Sequence, residues 1–328
     1  MNGVQIMKII TFENQVAIIT GAGGGIGYAL ASELARRGAR LLVNDYGGNT
    51  YGGQATPQKI EEAAELLRQL GAEVVTDSTP VGTAAAAQII VQKAVSAFGR
   101  VDMLLNNAGI TLPGLITSHS EEEVEQHFRT NLLGPYLLTR EVWPIMQNQQ
   151  YGRILNTSSN AALGIGGNAA YGASKAGLVG MTLDTALEGK PHGILVNAMM
   201  PTAFSRMIEQ IPAPDFVNWF RKYMPAEKVA AAVSYFLSRE SEVTGRVFAV
   251  GGGRVARVAF AEAPGWVDTE VTAEKIRDNF ENIDDMSSLH VLSEQKEAME
   301  LFTDAFPFQG ISLDQDAVIG AGSEKHHK

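Results

Sequence analysis

The chain contains no cysteine. Disulfides, thiolate metal sites and a cysteine nucleophile are therefore excluded. Histidine is scarce as well. The six residues, at 119, 127, 192, 290, 326 and 327, show no metal-ligand spacing, so no metal site is expected, and His326-His327 beside Lys328 reads as a polar tail. No sustained apolar run precedes Glu13, so nothing there reads as a secretory signal, and no stretch approaches the length of a membrane span. Basic residues are outnumbered, 26 against 36 acidic, and form no patch, which argues against a nucleic-acid partner. With no membrane or export feature, the expected compartment is cytoplasmic.

What remains is an ordinary globular composition, 45% hydrophobic and 19% charged, in a chain of 328 residues. That length suits one large α/β domain plus an extension, or two small domains. Charge is unevenly placed. From position 261 onward there are 15 acidic and 5 basic residues, a net of −10 that equals the net charge of the whole chain. This step marks a candidate module boundary.

Strand-like and helix-like segments alternate up to that boundary. Short apolar runs at 16–20, 40–45, 72–76, 101–106, 153–157, 193–198 and 246–250 are separated by helical patterns at about 21–37, 57–70, 83–98, 120–149, 169–188 and 227–239. Apolar runs joined by helical crossovers predict a parallel sheet of about seven strands covered on both faces. The alternation ends just after Gly251-Gly-Gly253. The expected division is thus a domain over 1–255 and an acidic, partly helical extension over 256–328, with helices near 272–282 and 293–302. The extension is placed either over the active site, over a subunit surface, or in solvent.

Within the first domain, Thr20-Gly-Ala-Gly-Gly-Gly-Ile-Gly27 follows the first strand and opens a helix. Glycines there allow a pyrophosphate close to the backbone, and the helix N–H groups and dipole favour the anion. The spacing Gly21-x-x-x-Gly25-x-Gly27 is not the common G-x-G-x-x-G. Asp45 ends the second strand, where a carboxylate can bind both hydroxyls of an adenosine ribose and repel a 2′-phosphate. No Arg or Lys in the glycine loop or directly after Asp45 would receive such a phosphate. The expected cofactor is therefore NAD. Asn106-Asn-Ala-Gly109 follows the fourth strand and brings backbone and amides toward the cofactor, or simply turns the chain. Asn131 is an unusual polar residue in the apolar helical run Arg129-Thr-Asn-Leu-Leu-Gly134, suited to a helix carbonyl or a buried water.

Tyr171 stands four residues before Lys175, and Ser158 stands thirteen before Tyr171. On a helix the Tyr and Lys share one face. A phenol titrates near ~10. A neighbouring ammonium favours the phenolate and moves it toward the range of a proton shuttle.

In order and spacing, these segments resemble the short-chain dehydrogenase/reductase family over about residues 12–253. The family's glycine motif falls on Thr20, Gly21, Gly25 and Gly27, its N-N-A-G on Asn106 to Gly109, and its catalytic tetrad on Asn131, Ser158, Tyr171 and Lys175. The resemblance implies a Rossmann-type doubly wound parallel sheet and hydride transfer between a secondary alcohol and a nicotinamide. It implies Tyr171 as general acid/base and Ser158 bonding the substrate oxygen. Lys175 lowers the Tyr pKa and holds the nicotinamide ribose, and Asn131 positions a relay water. It carries cofactor contacts onto Gly21, Gly25, Ile26, Gly27, Asp45, Asn107, Ala108, Gly109, Tyr171 and Lys175, with Asp77 near the adenine. A homodimer or homotetramer is also implied.

Three local features are similar to the (3R)-hydroxyacyl-CoA dehydrogenase group of type 2 peroxisomal multifunctional enzymes. They are Val43-Asn-Asp-Tyr-Gly-Gly48, Pro201-Thr-Ala-Phe-Ser-Arg-Met207, and the extension from Gly252 through Trp266. The chain departs from that group in carrying no hydratase or sterol-carrier module and no Ser-Lys-Leu ending. Apolar residues near the tetrad (Leu163, Ile165, Met199, Met200, Phe204, Met207, Ile208, Ile211 and Phe216) suit an acyl chain or steroid better than a sugar. The expected substrate is a hydrophobic alcohol or ketone, 3-hydroxyacyl-CoA first and a 17β-type hydroxysteroid second. An acidic extension sits uneasily with the anionic CoA tail. A catalytically silent NAD-binding sensor or scaffold is the alternative of another class; the intact tetrad disfavours it.

Overall fold

Successive strand residues point to opposite faces, and both faces of these strands are apolar. Ala17 and Ile19 of the first strand pack on one side and Ile18 on the other, all fully buried. A strand apolar on both faces must be covered on both. The computed structural model describes residues 9–49, 51, 53, 55–209 and 211–305, without the side chains of 206–207 and 303–305; the expected cleft residue Met207 and the tail at 326–328 lie outside what is described.

Seven parallel strands run in the order β3-β2-β1-β4-β5-β6-β7: β1 Val16–Thr20, β2 Arg40–Asn44, β3 Val74–Asp77, β4 Met103–Asn106, β5 Gly152–Thr157, β6 Ile194–Pro201 and β7 Arg246–Gly251. An eighth, β8 (Arg254–Val258), pairs antiparallel with β7. Among the described residues, nine α-helices belong to the same unit: α1 Gly25–Arg36, α2 Gln58–Gln69, α3 Ala84–Phe98, α4 Glu121–Phe128, α5 Gly134–Gln149, α6 Ala169–Gly189, α7 Arg206–Glu209, α8 Pro214–Tyr223 and α9 Ala226–Leu237. One face of the sheet packs on α1, α2 and α9 through residues such as Leu30, Leu34, Leu67 and Val233. The other packs on α3 and α5 through Ile90, Leu138, Val142 and Met146. This is the Rossmann-type doubly wound sheet that the alternation predicts.

The sheet is longer than expected. Gly252 and Gly253 lie at φ +60° and +95°, a conformation that costs glycine little, and they turn the chain straight back into β8. The division expected at 255 therefore falls inside a strand. The described chain separates into two compact units, the first ending at Val258 and the second beginning at Ala259. The second holds a short antiparallel pair, β9 (Phe260–Glu262) with β10 (His290–Leu292), and helices α10 (Ala273–Asp278), α11 (Phe280–Ile283) and α12 (Gln295–Ala305). Among the described residues, no helix is long and apolar enough to cross a membrane, and no group of three His, Asp or Glu is placed to hold a metal.

Candidate active site

Strand order reverses between β1 and β4, and a doubly wound sheet binds ligands in the crevice at the carboxyl ends beside such a switch point. The glycine loop lies there. Asn107 Nδ2 donates to the Thr20 and Gly21 carbonyls at 3.0 and 3.2 Å, and the Asn107 and Ala108 N–H groups both reach Thr20 Oγ1 at 3.0 Å. A side chain on Gly21 would meet the Ala108 backbone at 2.9 Å, and one on Gly27 would collide with the Gly21 carbonyl. The first turn of α1 has neither a side-chain cap nor an acidic residue, so its N–H groups and positive dipole end remain available to an anion. Ile26 is half-buried against the core, and Gly25 is exposed at φ +54°. These residues fit the pyrophosphate of a dinucleotide.

Asp45 follows β2, and its carboxylate faces that loop. One oxygen accepts the Gly23 N–H at 2.8 Å and the other the Gly47 N–H at 2.7 Å. Two backbone amides thus aim the group without neutralising it, and each oxygen keeps a lone pair for a hydroxyl. Asp77 is differently placed. It is buried, with Oδ1 accepting from Asn44 Nδ2 and Thr79 N–H, both at 2.8 Å, and Oδ2 lying 3.3 Å from Lys93 Nζ. It braces the ends of β2 and β3, and an adenine contact would fall to Oδ2.

Tyr171 and Lys175 lie on α6 as their spacing predicts, with Lys175 Nζ 5.8 Å from the phenol ring centroid. Lys175 is buried and donates to the Thr157 carbonyl at 2.7 Å. Nζ also borders Gly109, where an added side chain would sit 3.3 Å from it. Burial pushes the Lys175 ammonium down to about 8. Burial also pushes the Tyr171 phenol up, and a hydrogen bond with Ser159 works against that rise. The protein alone thus does not lower the Tyr171 pKa as the sequence suggested, because desolvation outweighs the hydrogen bond with Ser159.

Two expected roles change. Ser158 does not face Tyr171: its hydroxyl is buried and donates to the Lys175 carbonyl at 2.7 Å. The next residue, Ser159, is half-exposed and reaches Tyr171. Its oxygen accepts the Ala161 N–H at 3.1 Å, leaving its proton free to donate. At a strand end one residue of offset reverses the face, so counting thirteen back from Tyr171 selects the serine whose hydroxyl points away from it. Asn131 is fully buried in a π-helical turn, Arg129–Leu133. Its Oδ1 accepts the Ile110 N–H at 2.9 Å, while Nδ2 donates to the Ile110 carbonyl at 3.0 Å and to Ser174 Oγ at 3.1 Å. Both amide hydrogens are spent, so the side chain holds the loop after Gly109, and a relay water would have to donate to the second lone pair of Oδ1 or bond the main chain.

A sequence model of the family described as short chain dehydrogenase matches residues 15–211. The chain belongs to the short-chain dehydrogenase family. It is 35% identical over 276 residues to peroxisomal multifunctional enzyme A of Dictyostelium discoideum, covering 84% of this chain and 61% of that enzyme. It is 33% identical over 340 residues to peroxisomal multifunctional enzyme type 2 of Drosophila melanogaster, covering 97% and 56%. This short-chain dehydrogenase thus spans less than two thirds of either relative. Both are named peroxisomal, a different compartment from the cytoplasm expected of the sequence. The crystal structure of a short chain dehydrogenase from Mycobacterium avium superposes with a TM-score of 0.74 at 33% identity, over 83% of this chain and 95% of that one. The protein is accordingly a dehydrogenase of the nicotinamide-dependent class.

The expected substrate-lining set divides in two. Met199 and Met200 are buried core residues. Leu163, Ile165, Ile211 and Phe216 are exposed, and Phe204 lies under the Arg221 guanidinium at 4.9 Å. Helix α8 was not expected from the sequence. It carries Phe216, Trp219, Phe220 and Tyr223 in mutual ring contact, with Phe216, Trp219 and Tyr223 exposed. The aromatic i, i+3, i+4 and i+7 spacing was the available signal.

Burying a charged Lys175 has a stability consequence. Its folded pKa, about 8, lies below the ordinary 10.5, so its stabilising contribution is present above 10.5 and lost as pH falls through about 8. Lys175→Met should therefore inactivate the enzyme yet raise its stability at pH 7, by up to about 3 kcal/mol. The gain should shrink between pH 8 and 10.5. Denaturant melts of both proteins across that range check this, and a variant less stable at every pH would refute it.

Proposed function

We propose that this chain is an NAD-dependent dehydrogenase that interconverts a hydrophobic secondary alcohol and its ketone, with 3-hydroxyacyl-CoA thioesters as the substrate class. The observation that carries the reading is the Ser159–Tyr171–Lys175 group beside a glycine loop shaped for a dinucleotide. Bound NAD⁺ supplies the hydride acceptor. Gly21, Gly25, Ile26 and Gly27 would hold its pyrophosphate, Asp45 the adenosine ribose, and Asn107–Gly109 with Tyr171 and Lys175 the nicotinamide riboside. In oxidation, Tyr171 takes the hydroxyl proton as the carbinol carbon gives up its hydride. Ser159 donates to the same oxygen and holds it against the phenol. We take the unit ending at Val258 as catalytic and read the remainder as an extension.

The acyl thioester is supported by the three local features shared with the multifunctional-enzyme group and by the exposed apolar side chains of Leu163, Ile165, Ile211 and Phe216. Reduction of NAD⁺ and NADP⁺ over 3-hydroxyacyl-CoA thioesters, 17β-hydroxysteroids and polyols tests the reading. The thioesters should give the highest kcat/KM, and a steroid or polyol that outperforms them would overturn the substrate class. NAD⁺ should be preferred by about 10²-fold, as an unpaired 2′-phosphate facing a carboxylate costs several kcal/mol. Asp45→Ala should narrow that ratio; a preference for NADP⁺ in the wild type would remove the Asp45 reading. Light scattering of the purified chain should show a homodimer or homotetramer.

A further inference from the structure

The two histidines of the segment between Gly109 and Asn131 have no part in the hydride-transfer scheme, yet they close on the backbone of a single residue, Leu112. His127 is fully buried on α4. Its Nε2 accepts the Leu112 N–H at 3.0 Å, and its Nδ1 lies 2.7 Å from the Glu123 carbonyl. Because Nε2 accepts, Nδ1 must carry the proton and donate it to Glu123. His119 Nε2 lies 2.7 Å from the Leu112 carbonyl, which can only accept. Both backbone polar groups of Leu112 are thus held by imidazoles whose rings meet edge-on, centroids 5.8 Å apart.

Leu112 belongs to a segment anchored at almost every residue. Ile110 is held by Asn131 through its N–H and carbonyl. Thr111 Oγ1 accepts from Asn168 Nδ2 at 2.7 Å. The Gly114 N–H reaches the Gly167 carbonyl at 2.9 Å, and a side chain on Gly114 would sit 2.9 Å from His119 Nε2. Asn168 immediately precedes α6, which carries Tyr171. The segment therefore links the nucleotide loop to the start of that helix. The His127 ring itself meets the Tyr171 ring edge-on, at a centroid distance of 6.4 Å.

We propose that His127, acting with His119 on the Leu112 backbone, is a positioning residue that holds the Tyr171 hydroxyl in its reactive place, and that it does so only as the neutral imidazole. The proposal rests on the reading of Tyr171 as the proton shuttle. A proton added at Nε2 would point at the Leu112 N–H and break the clamp. The titratable groups that face His127 are His119, Glu123 on its own helix, and Tyr171 from α6. Burial, aided by His119, holds the His127 pKa below the ordinary 6.5 against the opposing hydrogen bond to the Glu123 carbonyl and the Glu123 charge. The clamp is therefore closed at neutral pH and opens as pH falls through that lowered value.

The test measures kcat and KM for ketone reduction, the direction that does not gain from Tyr171 ionisation, and NAD⁺ affinity of the full chain from about pH 5 to 9, for wild type, His127→Gln and His127→Leu. Wild-type kcat should show an acid limb below 6.5 with little change in NAD⁺ affinity. His127→Leu, without an acceptor for Leu112, should lose about tenfold or more in kcat at pH 8 while still binding NAD⁺ normally. His127→Gln keeps an acceptor oxygen, so it should recover most of that loss and lack the acid limb. An acid limb that persists in His127→Gln, or a wild-type kcat in His127→Leu, would overturn the clamp. Should the Leu variant not fold, the pH profile of the Gln variant decides alone. Tyr171→Phe, run alongside, separates the two readings: an active Tyr171→Phe refutes the shuttle, whereas an inactive one with an unchanged His127→Gln profile refutes only the clamp.

Discussion

Tyr171→Phe should lower turnover by about 10²–10⁴-fold while leaving stability close to wild type. The substitution removes one oxygen and keeps the ring, so the edge contact with His127 and the packing near Lys175 survive. What is lost is the atom that exchanges a proton with the substrate oxygen. The deleted hydroxyl also releases Ser159, a neutral hydrogen bond whose net worth is about 1 kcal/mol. That is too small to account for the loss of activity. A pH profile adds a second reading. Burial raises the Tyr171 phenol above its ordinary 10.0, so the fraction ready to accept a proton grows as pH rises through neutrality. Alcohol oxidation by the wild type should therefore speed up with pH, and ketone reduction, which needs the protonated phenol, should not. Stopped-flow single turnovers separate these steps from product release. A Tyr171→Phe protein with near-normal turnover would show that the proton leaves by another route.

Much of this molecule is written locally. The runs Val16–Thr20 and Met103–Asn106 are apolar on both faces, and such strands leave no other fold than a sheet covered twice. Asp45 was legible because a carboxylate closing the second strand is fixed by chain order, and the glycine loop that it faces adjoins it through β1–β2 pairing. The features that escaped depend on contacts across the chain. Arg254–Val258 reads as polar, and it becomes a strand only because Gly252 and Gly253 return it to the open edge of β7. The pairing of Phe260–Glu262 with His290–Leu292 joins residues almost thirty positions apart, which no local period reveals. Helix α8 was hidden by its aromatic content, which reads equally well as the lining of a cleft. The environment of Tyr171 escapes for a related reason: spacing predicts a nearby ammonium but says nothing of how completely the fold desolvates the phenol and lysine.

Ser159→Ala and Ser158→Ala should differ sharply, and the difference decides which hydroxyl serves the reaction. The chain leaves β5 through Thr157, Ser158 and Ser159, and successive side chains at a strand end point in opposite directions. Ser158 turns inward to the Lys175 carbonyl, while Lys175 Nζ reaches back to the Thr157 carbonyl. These two bonds stitch β5 to α6 and keep Tyr171 at its height. Removing the Ser158 hydroxyl should cost about 1 kcal/mol of stability and leave turnover near wild type, because no reacting atom loses a partner. Ser159 turns outward to Tyr171 and has a proton to donate. Removing its hydroxyl takes away a donor aimed at the substrate oxygen, where charge builds as the proton moves. Loss of one such donor costs about 10²–10³-fold in kcat, with only the small stability loss of a turn cap, about 1 kcal/mol or less. Steady-state kinetics on both variants, beside thermal melts, give the two signatures: loss of stability without loss of rate at 158, and loss of rate with little loss of stability at 159. The reverse pattern would return the substrate contact to Ser158 and require its buried hydroxyl to abandon the Lys175 carbonyl during turnover.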